Sequence, residues 1–200
     1  MAEKEFVFAT ANKGKLEEMQ AIATRFNIKV LSPLDLVQRG LQNPPDVEET
    51  ADTYEGNAKL KADAISKWSG LPAIADDTGL EVAALNGAPG LLSARYAGDP
   101  CTPADNRKKL LSVLDGEKNR KAQFRSVICF SNGGEVKYFY GVLNGSITTA
   151  EYGSGGFGYD SIFLVDGYNE TLAQLKGKGS PVKTHRVQAL EEFFNSDFIK

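Results

Sequence analysis

Two hundred residues, against a prior of roughly 150 per domain, allow one large domain or two small lobes and exclude a string of modules. Apolar residues make up 42% and charged residues 24%, which excludes a disordered chain and suffices for a core without metal or disulfide staples. Lysine and arginine number 23 against 26 acids, a formal net charge of −3, so bulk positive charge does not hold a nucleic acid and any anionic ligand must meet a local cluster.

Glu5 to Thr10 reads as a short buried strand, and Leu16, Met19, Ile22, Ala23 and Phe26 recur at helical spacing, so Asn12 to Lys15 forms a strand-to-helix turn. Ile28 to Leu31 makes a second strand, followed by a turn at Ser32 and Pro33 and a polar loop from Gly40 to Thr50 that holds Pro44, Pro45, Asp46, Glu48 and Glu49. Thr53 caps a helix to about Ser69, which offers Tyr54, Ala58, Ile65 and Trp68 to one face and stops at Gly70. Leu71 to Ala75 reads as a strand ending in a turn, Asp76-Asp77-Thr78-Gly79, with Leu80 to Leu85 returning from it. Asn86 to Gly90 reads as loop, and Thr102 with Pro103 opens a helix to Leu114.

Ala122 to Phe130 and Glu135 to Leu143 form a β-hairpin around Ser131-Asn132-Gly133-Gly134, its second strand alternating through Val136, Tyr138, Tyr140 and Val142. A glycine-rich turn from Gly153 to Gly158 leads into a strand from Ser161 to Val165. Thr184 begins a last helix with Val187, Leu190, Phe193 and Phe194 on one side. Helices early, a long hairpin in the middle and a helix last predict a mixed sheet, not a doubly wound parallel one.

The stretch Thr10-Ala11-Asn12-Lys13-Gly14-Lys15 puts a hydroxyl, an amide and two ammonium groups where a strand becomes a helix. Free backbone N–H groups and the helix dipole favour anions there, so the turn is a candidate phosphate cradle as well as an ordinary capped helix start. It is not a Walker A loop. Asp76 and Asp77 repel one another unless a cation or a shared proton intervenes, and Mg²⁺ with a further acid from the loop, Glu48 or Glu49, answers that repulsion; plain turn chemistry is the alternative. The run Gly153-Ser154-Gly155-Gly156-Phe157-Gly158 matches a dinucleotide fingerprint in letters only, since strand and not helix follows it. Phe157 and Tyr159 instead suit stacking on a base, with Asp160 as an acceptor. His185 and Arg186 bring two donor-bearing side chains together at a helix start.

No apolar run approaches the ~18 residues of a membrane span, and the opening MAEKEFVFATANKGK lacks a signal-type apolar stretch, so the cytoplasm is expected, with no membrane and no nucleic-acid partner. Cys101 and Cys129 are expected reduced.

The segments FATANKGKLEEM, EETADTYEGNAKLKA, PAIADDTGLEVAALNGAPGLLSARYAG, GSGGFGYDSIFLVDGYNETLAQL and THRVQAL span Phe6 to Leu190 in order. Together they resemble the inosine triphosphate pyrophosphatase family, enzymes of noncanonical purine nucleoside triphosphates. The resemblance implies an α/β fold with an elongated mixed β-sheet flanked by helices, two lobes with a central cleft, as one pyrophosphatase domain over residues 1–200 and usually a homodimer. It implies that Thr10, Ala11, Asn12, Lys13, Gly14 and Lys15 contact the triphosphate and that Asn57 and Thr78 touch substrate. Phe157, Gly158, Tyr159 and Asp160, with His185 and Arg186, are implied to hold the base. Glu48 and Asp77, beside Asp76, are implied to bind Mg²⁺, with Asp77 also accepting the proton of the attacking water. Two positions depart from the family: Ser180 stands where a substrate-contacting lysine is usual, with Lys178 and Lys183 nearby, and Gln174 stands where a glutamate is usual.

The implied reaction is hydrolysis of ITP, dITP or XTP at the α-phosphorus to the monophosphate and pyrophosphate. Hydrogen-bond direction gives base selection a basis, because hypoxanthine and xanthine present a 6-keto acceptor where adenine presents an amino donor. The competing expectations are a pyrophosphatase for other modified or ordinary nucleotides and a nucleotide-binding sensor with little turnover.

Overall fold

The computed structural model describes residues 5–197. Strand β1 (Glu5–Phe8) passes into helix α1 (Lys13–Arg25), whose N-cap Asn12 accepts the Lys15 N–H at 3.1 Å. Strand β2 (Lys29–Leu31) returns parallel to β1, with Phe6 opposite Val30. A turn is expected at Ser32, and a helix, α2 (Pro33–Gln38), is found. Ser32 and Asp35 satisfy each other's backbone N–H groups and Pro33 takes the first helical position, so every start signal is present in a segment too short to show periodicity. Helix α3 (Tyr54–Ser69) begins at Thr53 and ends at Gly70, which adopts φ 69° as a left-handed cap must.

The largest departure from expectation is strand β3 (Ala73–Val82), which runs unbroken through Asp76-Asp77-Thr78-Gly79. Turn-forming residues normally divert the chain by bonding their own backbone. Here Ala73 to Asp77 are all buried, and the carboxylate of Asp76 bonds to distant side chains, so the ladder wins. The partner that does return is strand β4 (Pro89–Gly90), antiparallel to β3 with Leu80 opposite Gly90, while Ala83–Leu85 is a 3₁₀ turn.

Helix α4 (Pro103–Val113) starts at a Thr102–Asp105 capping box. Strands β5 (Lys121–Ser131) and β6 (Val136–Ile147) form the expected hairpin. The alternation of β6 is real, but its fully buried members are Phe139, Gly141, Gly145 and Ile147, while Tyr140 and Val142 are exposed. Period-two patterning fixes that neighbours face opposite ways; the Phe139 ring, edge-on to Phe193 at 5.3 Å, decides which way. A 3₁₀ turn at Asp160–Ile162 shortens the next strand to β7 (Phe163–Val165), antiparallel to β6. Helix α5 (Leu172–Gly177), absent from the sequence reading, follows a capping box between Thr171 and Gln174, and α6 (His185–Asn195) closes the chain as expected.

The described residues build one mixed sheet in the order β2-β1-β3-β5-β6-β7, with β4 on β3, flanked by helices. The chain divides into two compact units. Unit 1 takes the described residues to Asp77, then Ser126–Gly141 and those from Arg186 on; unit 2 takes Thr78–Arg125 and Val142–His185. Unit 1 has one core of Phe6, Phe8, Met19, Ile74 and Phe193 and another of Val7, Ala58, Ile65 and Ala75. Unit 2 centres on Leu80, Leu110, Phe124, Ile147, Ile162 and Phe163. Both cysteines are free, and burial pushes the Cys129 thiol up to about 12. Among the described residues no helix is long and apolar enough to cross a membrane.

Candidate active site

In unit 1 the phosphate-cradle turn is locally self-supporting. Thr10 Oγ1 accepts the Asn12 N–H and Asn12 Oδ1 accepts that of Lys15, each at 3.1 Å, which fixes the chain as it enters α1. Thr10, Ala11, Asn12 and Lys13 line a cavity of about 700 Å³ together with Pro33, Pro44 and Lys61. The two lysines of the turn differ: Lys13 is 88% exposed and faces Glu17 at 3.7 Å, while Lys15 turns inward to Asp76 at 2.9 Å. Burial pulls the Lys15 ammonium below the ordinary lysine value, and the Asp76 charge opposes that fall.

Asp76 is the hub. Its Oδ2 meets Lys15 Nζ and accepts from Arg186 Nε, both at 2.9 Å, and its Oδ1 accepts the Ser126 hydroxyl at 2.9 Å. Arg186, 2% exposed, also donates to Glu18 at 2.5 Å. Burial works against the charged guanidinium, but Asp76 and Glu18 outweigh it and raise its proton affinity. Asp76, expected among the metal ligands, thus stands against two cations and a hydroxyl.

Asp77, the next residue and on the opposite side of the strand by its alternation, has different company. Lys61 Nζ lies 3.9 Å from Asp77, 2.6 Å from Glu49 and 2.8 Å from the Asp76 carbonyl. Burial pushes the Asp77 carboxyl above the usual carboxylate range; Lys61 and Lys15 pull it down while Glu49 and Asp76 push it further up. Asn57, one helical turn before Lys61, accepts the Ala51 N–H at 2.9 Å and ties the polar loop to α3. Glu48 is exposed and Glu49 half-buried. Among the described residues no three His, Cys, Asp or Glu side chains gather as a metal cluster. The donors at hand, Asp77 and a loop acid, suit Mg²⁺, which takes one or two carboxylates and completes its shell with water and phosphate oxygens.

Lys61, Glu18 and Ser126 were missed by sequence reading. The signal for Lys61 was its four-residue spacing from Asn57; Glu18 and Ser126 carried none, because their roles depend on pairing between distant segments.

In unit 2, Thr78 is half-buried on β3. Phe157 N–H donates to Asp160 Oδ2 at 3.0 Å, Gly158 accepts from Arg107 at 2.8 Å, and the buried Tyr159 donates its hydroxyl to the Ser93 carbonyl at 2.7 Å. Burial raises the Tyr159 phenol above its ordinary value. His185 is buried, its ring stacked on Phe124 at 4.7 Å and 17°. Of the segment 157–160, Phe157 is the exposed member, at 37%. At the two departures, Gln174 completes the capping box with Thr171, a role glutamine fills as well as glutamate, and Ser180 N–H closes on the Leu175 carbonyl at 2.9 Å. Lys178 pairs with Glu170, and Lys183 is exposed.

A mixed-sheet α/β chain whose lysine-bearing helix start meets the buried Asp76 offers the groups that phosphate chemistry uses. A profile of the Ham1 family matches residues 6–196, and the chain belongs to that family. It is 43% identical to the dITP/XTP pyrophosphatase of Flavobacterium psychrophilum, over 96% of this chain and 100% of the relative. It is likewise 43% identical to the dITP/XTP pyrophosphatase of Staphylococcus epidermidis, over 94% of this chain and 93% of that one. Among solved structures it is similar to a HAM1 protein from Coxiella burnetii, with TM-score 0.84 and 39% identity over 96% of both chains. The dITP/XTP pyrophosphatase of Mycobacterium abscessus has TM-score 0.69 and 35% identity, over 88% of this chain and 91% of that chain.

Proposed function

We propose that this protein hydrolyses noncanonical purine nucleoside triphosphates, dITP, XTP and ITP, to the monophosphate and pyrophosphate. The observation that carries the reading is the 2.9 Å contact between Lys15 of the first helical turn and Asp76, which brings the lysine-bearing turn beside the strand residue preceding Asp77. Lys13 and Lys15 hold phosphate charge, with Thr10, Ala11, Asn12 and Gly14 supplying the turn and its backbone donors. Asn57 and Thr78 set the substrate's approach to Asp77. Asp77 accepts the proton of the attacking water. Mg²⁺, held by Asp77 with Glu49 or Glu48, supplies positive charge to the phosphoryl oxygens when bound. Phe157 to Asp160, with His185, hold the base in unit 2, Arg186 supports the acidic corner of unit 1 through Asp76 and Glu18, and residues 1–200 act as one pyrophosphatase domain in the cytoplasm.

The test is pyrophosphate release from dITP, XTP, ITP, GTP and ATP, with Mg²⁺ and with chelator. Preference for the first three, lost with chelator, is expected. Equal rates on all five support a broader pyrophosphatase, and binding without release supports a sensor. His185→Ala is expected to narrow the gap between ITP and ATP; an unchanged gap removes His185 from base selection. The reading includes a homodimer on family resemblance, and sedimentation as a 21.6 kDa particle would remove it.

A further inference from the structure

Gly153 and Gly155 lie on α5 more closely than any side chain allows. A Cβ on Gly155 would stand 2.5 Å from both the Ala173 carbonyl and the Gly177 nitrogen, and one on Gly153 would stand 2.7 Å from the Gln174 nitrogen. Gly156, at φ 77°, would place a Cβ 2.1 Å from Asp160 Oδ2 and 3.0 Å from Lys176 Cδ. The glycines are therefore an adhesive surface, and α5 is the platform they lie on.

From that platform the Lys176 side chain reaches back. Lys176 Nζ lies 3.0 Å from Asp160 Oδ2, the same oxygen that accepts the Phe157 N–H, and 5.1 Å from the centre of the Phe157 ring. Asp160 is 5% exposed and Phe157 is 37% exposed. We infer that Lys176 is a positioning residue for base recognition: it pins the Asp160 carboxylate from below and covers the Phe157 ring with its ammonium, holding that ring in the orientation a purine stacks on. A ring with a fixed orientation binds a flat base with less ordering cost than one free to rotate.

The inference rests on the assignment of Phe157 to Asp160 to the base, and the experiment separates the two. Steady-state kinetics on ITP are compared for wild type, Phe157→Ala, Lys176→Met, Lys176→Arg and Lys178→Met, with thermal melting of each. Lys176→Met is expected to raise KM about fivefold, the scale of a partly exposed cation–π contact plus an ion pair, with kcat within about twofold. Lys176→Arg, which keeps the charge, is expected to restore most of the loss, and Lys178→Met to leave KM alone. An unchanged KM in Lys176→Met while Phe157→Ala raises it overturns the role of Lys176 only. An unchanged KM in Phe157→Ala overturns the base assignment itself. A fall in kcat and melting temperature that Arg does not rescue reduces Lys176 to a structural residue and also overturns the inference.

Discussion

The acidic corner of unit 1 and the glycine-rich segment of unit 2 hold their functional groups by opposite means. In unit 1 the holding is done by buried charge: Asp76 takes Lys15, Arg186 and Ser126, and Glu18 completes the Arg186 pairing. In unit 2 it is done by the absence of side chains, because Gly153 and Gly155 let backbone press on backbone and Gly156 leaves room for the Asp160 carboxylate. Charge networks fix direction and tolerate small shifts but fail when one partner is lost; close backbone contact fixes position and fails when a methyl is added. The lesson for Asp76 and Asp77 is sharper. Neighbours on one strand, they sit in different surroundings: Asp76 among cations and a hydroxyl, and Asp77 with a burial that nearby lysines only partly offset.

The largest expected effect separates that pair by activity. Asp77→Asn should lower kcat about 10²- to 10⁴-fold while nucleotide affinity stays within about tenfold, measured by pyrophosphate release and by titration. Retention of half the wild-type rate would falsify its role as proton acceptor.

Next comes the same pair read by stability. Asp76→Asn leaves Lys15 and Arg186 poorly compensated and should cost about 3–5 kcal/mol, a melting temperature lower by roughly 10 °C. A shift of a degree or less would show that the network in unit 1 holds nothing. In unit 2 the matching probe is Gly155→Ala, whose methyl meets two backbone atoms at 2.5 Å. It should cost about 1–3 kcal/mol and raise KM for ITP more than it lowers kcat; a neutral substitution would mean that the segment is not clamped on α5.

The smallest effect concerns pH in metal-free buffer. Burial raises the Asp77 carboxyl above the ordinary 3.8, so its contribution to stability is fully present below 3.8 and is lost as pH rises through the raised value. Asp77→Asn should accordingly melt slightly higher than wild type at neutral pH, the advantage shrinking as pH falls toward 3.8. A variant less stable than wild type at neutral pH would mean that Lys61 and Lys15 already more than offset the burial of Asp77.

Much of this molecule is local and so was legible as letters. The helix from Thr53 to Gly70 has its cap, its spacing and its stop within the segment itself, and the turn from Thr10 to Lys15 declares its anion-binding groups in six residues. The long family motifs carried the reaction class for the same reason. What sequence could not decide were contests between a local tendency and a distant partner. Asp-Asp-Thr-Gly favours a turn, yet Lys15, Ser126 and Arg186, drawn from three separate segments, make it the middle of a strand. The alternation of β6 was visible, but the side of it that meets Phe193 was not. Helix α5, at six residues, is shorter than two helical turns and left no period to read. Local chemistry thus determined which groups this chain offers to a ligand, and tertiary packing decided which of them remain available, because a carboxylate's chemistry is set by the charges that surround it in space.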